Sequence, residues 1–107
     1  MALNPTYSYD YPYNEGRALY NLGEYEKAAE SLLLALERNE SAYNPRLFLI
    51  ASYIRLGRLE DAEWEVSQLE ISMPGITLSH LEQTFPMPEG EHRTRFFDDL
   101  RKAGMPE

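Results

Sequence analysis

Apolar and small residues recur along most of this chain at the three- and four-residue spacing of a helix, and no stretch alternates with period two over a useful length. The pattern therefore predicts an all-α protein without strands. A first helix is expected from Pro12 to Leu22, with Gly16, Ala18, Leu19 and Leu22 on one stripe. Asp10 is its candidate cap, and Pro12 falls in the first turn, where a missing N–H is harmless. Gly23 closes it, as glycine does just past a helix C-terminus. A second helix, Tyr25–Arg38, places Ala28, Leu32, Ala35 and Leu36 inward. Ala29 and Leu33 widen that stripe, so both sides of this helix are expected to meet protein. "NESAYN" is a break, and Pro45 opens a third helix with Leu49, Ile50, Tyr53 and Leu56 that stops at Gly57. The fourth runs from Leu59 to Ser72 with Leu59, Ala62, Val66 and Leu69 inward, and Met73-Pro74-Gly75 ends it. Beyond it, "TLSHLEQTF" fits a short helix and "PMPEGE" an interruption. "HRTRFFDDLRKAG" fits a last helix, with Phe96, Phe97 and Leu100 facing inward and Asp98-Asp99 on the outer face.

Two of these helical hairpins are written in one script. "LYNLGEYEKAAESLLLALE" and "YIRLGRLEDAEWEVSQLEI" are offset by 34 residues, and the offset holds for Gly23 and Gly57, Tyr25 and Leu59, Ala28 and Ala62, and Leu32 and Val66. A fixed offset across helix, turn and helix is the signature of a stacked helical-hairpin array. Over roughly residues 9–75 the chain resembles the tetratricopeptide repeat, through "LGEYEKA…L..AL", "LGRLEDA…V..L" and Pro74 at the closing-proline position. It departs from that motif at Pro12 and Arg46, where tryptophan is usual. It departs also at Glu40, which replaces the first closing proline, and at Ile50, which stands at a small-residue position. The fold this resemblance implies is a tetratricopeptide-type array, an α-α superhelix, with a C-terminal capping helix pair. The alternative is a generic four-helix bundle.

On this basis the chain divides into a lead-in over residues 1–11, a first repeat over 12–42, a second over 43–75, and a partial repeat with capping helices over 76–107. "ALNP" resembles the end of a preceding repeat, so the chain is expected to be part of a longer array. The tail, through "PG.TL..L", the central "FP" and "LRKAGMPE", resembles the C-terminal end of bacterial proteins in which such repeats follow a class III adenylate/guanylate cyclase domain. Similar tails follow repeats in some bacterial transcriptional regulators. No cyclase residue can be carried onto this chain.

Charge narrows the partners. Asp and Glu outnumber Lys and Arg by 18 to 10, a net charge of −8, and the cations are not clustered. Binding to phosphate backbones is therefore not expected, nor adhesion to an anionic membrane. The absence of cysteine excludes a disulfide framework, Cys-ligated zinc and thiol catalysis. No apolar run is long enough to span a bilayer, and the N-terminal residues lack the basic start and apolar centre of a signal peptide. A cytoplasmic location without membrane insertion is the expectation.

Candidate chemistry is sparse. His80 and His92 are the only histidines and lack the spacing that puts two imidazoles on one helical face. Ser41, Ser67 and Ser72 have no nearby histidine in a recognisable turn. The six glycines lie singly, so there is no phosphate-cradling loop. The carboxylates are spaced to coat exposed helix faces. No catalytic residue, cofactor or metal ligand is assigned.

The resemblance implies binding instead. In tetratricopeptide arrays the first helix of each hairpin lines a concave peptide groove. The matching positions are Tyr13, Arg17, Tyr20 and Asn21 in the first repeat, and Asn44, Leu47, Ala51, Ile54 and Arg55 in the second. Arg17 and Arg55 are suited to gripping a peptide carboxylate. The chaperone-tail clamp of the family is not reproduced, since Tyr13, Arg17 and Phe48 occupy three of its positions. Leu78 and Leu81 are expected to stack like the first helix of a third repeat, with Phe85, Phe96, Phe97 and Leu100 sealing the array end. Tyr7, Tyr9, Tyr11 and Tyr13, or a second copy of the chain, are expected to cover the other end. The function expected is a non-catalytic interaction or assembly module with a protein or peptide partner, self-associating through its N-terminal hairpin. The alternative is a freestanding adaptor for an extended peptide.

Overall fold

The computed structural model describes residues 10–39, 42–85 and 87–107. Six helices follow one another: α1 Asp10–Leu22, α2 Tyr25–Arg38, α3 Tyr43–Arg55, α4 Leu59–Ser72, α5 Leu78–Thr84 and α6 Glu91–Lys102. No strand occurs among the described residues. Two boundaries differ instructively from the expected ones. Asp10 is itself helical rather than a cap. Helix α3 begins two residues before Pro45, which is tolerated because first-turn N–H groups have no intrahelical acceptor. Tyr7 and Tyr9 lie outside the described residues.

The sequence repeat is also a backbone repeat. Helix α1 ends with the Gly23 N–H bonded to the Tyr20 carbonyl at 3.0 Å and the Glu24 N–H to the Leu19 carbonyl at 2.9 Å. Helix α3 ends the same way, Gly57 to Ile54 at 3.1 Å and Arg58 to Tyr53 at 2.9 Å. This paired closure needs a left-handed residue, and both glycines supply it, with φ of 86° and 77°. The second helices stop in register too: Asn39 N–H bonds to Ala35 and Met73 N–H to Leu69. Short links, of two residues after α1 and three after α3, fold one helix back on the next, giving hairpins α1–α2 and α3–α4.

The two hairpins are packed differently inside. A Cβ added at Gly16 would lie 2.6 Å from Leu32 Cγ, so α1 and α2 cross at nearly the closest approach their backbones allow. At the equivalent positions of the second hairpin stand Ile50 and Val66, both buried. Bulk has moved from the second helix to the first, and the departure at Ile50 is accommodated by packing.

Helix α3 is the centre of the molecule. Every residue from Pro45 to Tyr53 is buried, and it packs against α2, α4, α1 and α6. A helix enclosed on all sides needs apolar residues all round, which "RLFLIASY" nearly provides. Two of its buried polar members are paired. The Ser52 hydroxyl donates to the Phe48 carbonyl at 2.8 Å, and Arg46 forms a buried ion pair with Glu65 of α4. Arg46 stands where the resembling motif carries tryptophan, and the ion pair occupies that inter-helix space.

Leu33 and Leu59, expected inside, are 42% and 47% exposed. Among the described residues no further layer lies on the outer sides of α2 and α4.

Candidate functional site

The inner layer, formed by α1 and α3, is where a ligand groove was expected, and α6 lies in it. Phe48 of α3 and Phe96 of α6 stack with ring centroids 4.4 Å apart. Tyr20 of α1 meets both rings edge-on, at 5.7 and 6.3 Å. Phe85 stacks on Phe96 at 5.3 Å and lies 6.0 Å from Phe48, so the three rings form one cluster. The aromatic residues assigned to sealing the array end thus fill its inner face as well.

One polar contact sits in this aromatic setting. The Tyr20 hydroxyl donates to Asp99 Oδ2 at 2.6 Å, and Arg55 Nε donates to the same oxygen at 2.9 Å. Asp99 and Tyr20 have no solvent exposure, whereas the Arg55 side chain keeps about a third of its surface. The expectation that Asp99 lies on the outer face is therefore wrong. The last helix is narrow enough in its apolar stripe that Asp99 turns inward beside Leu100, while Asp98 stays out. A carboxylate buried this deeply needs a charged partner, and Arg55 is that partner. Burial first, and then the hydrogen bond to Asp99, push the Tyr20 phenol well above its ordinary range, so it is a neutral donor at any physiological pH. The hydrogen bond to Asp99 likewise raises Arg55. One carboxylate oxygen held by two donors makes this a latch between α1, α3 and α6.

The expected groove residues fall into two groups. Tyr20, Leu47 and Ala51 are fully buried, while Arg55, paired with Asp99, stays exposed along part of its side chain. Asn44 and Ile54 are half-buried. Tyr13, Arg17 and Asn21 come together at a hollow of about 340 Å3, closed on its other side by Phe85, Met87 and Pro88. There the Arg17 guanidinium lies 5.3 Å from the Tyr13 ring centroid.

The tail is held by more than its aromatics. The N–H groups of Leu78 and Ser79, orphan donors in the first turn of α5, bond to the carbonyls of Pro106 and Glu107 at 2.8 and 2.9 Å. Thr77 caps the same turn through the His80 N–H. Arg93 donates to the Met87 and Glu82 carbonyls and covers the Phe97 ring, fixing the α5–α6 link. Nothing in the pattern of "AGMPE" announced that these residues return to α5.

The two histidines, His80 and His92, are exposed. Among the described residues no group of three His, Asp or Glu side chains is placed to hold a metal ion, and no helix is long and apolar enough to cross a membrane. No family model matches the chain, and neither a curated protein nor a solved structure does.

Proposed function

We propose that this chain is a non-catalytic interaction and assembly module of tetratricopeptide type whose inner face is sealed by its own C-terminal helix and whose open end stacks on further helices. The observation that carries this is the contrast between its two ends. At the α5–α6 end every large apolar side chain of the tail, from Leu78 to Met105, is buried or half-buried. At the α1–α2 end Tyr11 is 62% and Leu34 39% exposed, beside a hollow of about 460 Å3 that Pro12, Asn14, Glu15 and Arg38 complete. Among the described residues the Nε of Arg38 there has no acceptor. An unsatisfied donor beside exposed apolar side chains is what an unfinished hairpin stack leaves.

The cover for this end is another hairpin, from a longer chain or from a second copy. The resemblance of the tail supports the first source, with the module following a cyclase-like signalling domain and pairing or positioning it. The test is molar mass by light scattering over a concentration series. A concentration-dependent dimer, abolished by Leu34→Glu, is expected. A monomer at every concentration would overturn the self-stacking form of the proposal.

A second reading is favoured by the hollow around Tyr13, Arg17 and Asn21, which admits a short extended segment. Loss of peptide capture in Arg17→Ala with unchanged molar mass would support it over the first.

A further inference from the structure

We infer that the outer groove between α2 and α4 is a docking site for a basic amphipathic helix of a partner protein. It lies on the side of the molecule away from the latch and is independent of the open α1–α2 end. Three large apolar side chains stand exposed around it: Trp64 at 58%, Ile71 at 72% and Leu33 at 42%. They are not scattered. Together with Leu36 they border one depression of about 440 Å3, floored by Arg46 and Glu65. Trp64 and Ile71 are seven residues apart on one helix, two turns along the same face, so the apolar line runs about 10 Å. Isolated exposed leucines need no explanation, but an exposed tryptophan in an apolar depression is the usual anchor of an interface.

The charge around the groove states the chemistry of the occupant. Helix α4 carries Glu60, Asp61, Glu63, Glu65 and Glu70 and no lysine or arginine. Glu60 and Asp61 stand four and three before Trp64, so exposed carboxylates share its face of the helix. On the opposite rim Glu30 and Glu37 stand three before and four after Leu33, on the same face of α2. The one cation in the floor, Arg46, is already engaged by Glu65. The site is thus an apolar trough between two acidic rims. A helix with an apolar stripe at i, i+3, i+4 and i+7, flanked by Lys and Arg, matches both features. A second copy would set acidic rim against acidic rim, a like-charge juxtaposition that costs affinity. Anionic lipid and nucleic acid meet the same repulsion.

Trp64 is the only tryptophan, so the site reports on its own occupation. The whole chain is titrated with a synthetic amphipathic helix of about 18 residues, Leu on one face and Lys on the other. The same titration is run with a peptide in which Glu replaces each Lys. The Lys peptide is expected to shift Trp64 emission to the blue and to bind at least about tenfold more weakly in the double variant Leu33→Ala/Ile71→Ala, which keeps every charge. The Glu peptide should leave the spectrum unchanged, and the Lys complex should weaken steeply with salt. Both substituted residues are exposed, so the variant should melt with the native chain. No spectral change with the Lys peptide overturns the inference. So does equal binding by the Leu33/Ile71 variant, which would reduce the interaction to general charge attraction. A Trp64 shift that follows protein concentration without peptide would assign the groove to a second copy and also overturn it.

Discussion

Tyr20 and Asp99, 79 positions apart in the chain, share a 2.6 Å hydrogen bond inside a ring of aromatic side chains. The acceptor oxygen also takes the Nε–H of Arg55. One carboxylate on the last helix thus closes the first and third helices under it. The face of α1 and α3 on which the sequence suggests a groove is occupied by the molecule's own last helix.

Removing the carboxylate should cost more than removing the phenol. In Asp99→Ala the Tyr20 hydroxyl is left buried without an acceptor, and Arg55 loses its partner, a loss of about 3 kcal/mol. In Tyr20→Phe the carboxylate keeps Arg55, and the loss is one hydrogen bond to a charged group, about 1.5–2 kcal/mol. Urea denaturation measures both. Hydrogen exchange adds location, since Asp99→Ala should speed exchange in α6 before α2 or α4. Equal costs would mean that Tyr20, and not Arg55, carries the latch.

Much of this fold was legible because it is local and periodic. Gly23 and Gly57, and the apolar positions 34 residues apart, set helices and turns within a few residues of the chain itself. The position of α6 was not legible, because Asp99 looks like any exposed carboxylate until Tyr20 and Arg55 are brought to it from distant helices. The same two residues were assigned to ligand binding on family position, and that assignment has no information about what else in the chain competes for them. The outer groove is a different case. Trp64 and Ile71 are spaced as a helical face, but Leu59 and Leu33 on the same sides read equally well as core. Only exposure separates a buried stripe from an unpartnered one.

The Arg46–Glu65 pair predicts a pH dependence. Burial dominates at Glu65 and raises its carboxyl above the ordinary value of 4.5, with Arg46 opposing. The native state therefore binds this proton more readily than the unfolded chain, and stability from this site falls as pH rises from 4.5 through the raised value. Glu65→Gln keeps a hydrogen-bonding partner for Arg46 and removes the titration. The difference in urea midpoint between native chain and variant should move in favour of the native chain as pH is lowered from neutrality toward 4.5. A difference that is flat with pH would show that the ion pair, and not burial, sets the ionisation of Glu65.

The last five residues should behave as part of α5. Truncation after Lys102 removes the acceptors of the Leu78 and Ser79 N–H groups and takes buried Ala103 and Met105 from the core. A helix of seven residues does not stand alone. Exchange at Leu78–Thr84 should therefore approach that of an unfolded segment, while the hairpins α1–α2 and α3–α4 stay protected. Met105→Ala is the milder form, at about 2 kcal/mol. Protection of α5 in the truncated chain would mean that Leu78, Leu81 and Phe85 hold it without the returning tail.

The crossing at Gly16 gives a test of the first hairpin. Alanine there gains about 1 kcal/mol of helix propensity, yet its methyl would sit 2.6 and 2.7 Å from Leu32 Cγ and Cδ2. Leu32 has no exposure and so cannot swing out to solvent. Overpacking of about 1–3 kcal/mol should outweigh the propensity gain, leaving Gly16→Ala destabilised. Leu32→Ala alone opens a cavity and should cost about 2–5 kcal/mol. Combined, the new methyl at position 16 enters the space that Leu32 vacates, and the double variant should be more stable than the sum of the singles by at least about 1 kcal/mol. Additivity within about 0.5 kcal/mol would show that α1 and α2 slide apart to admit the methyl, and that the close crossing is not rigid.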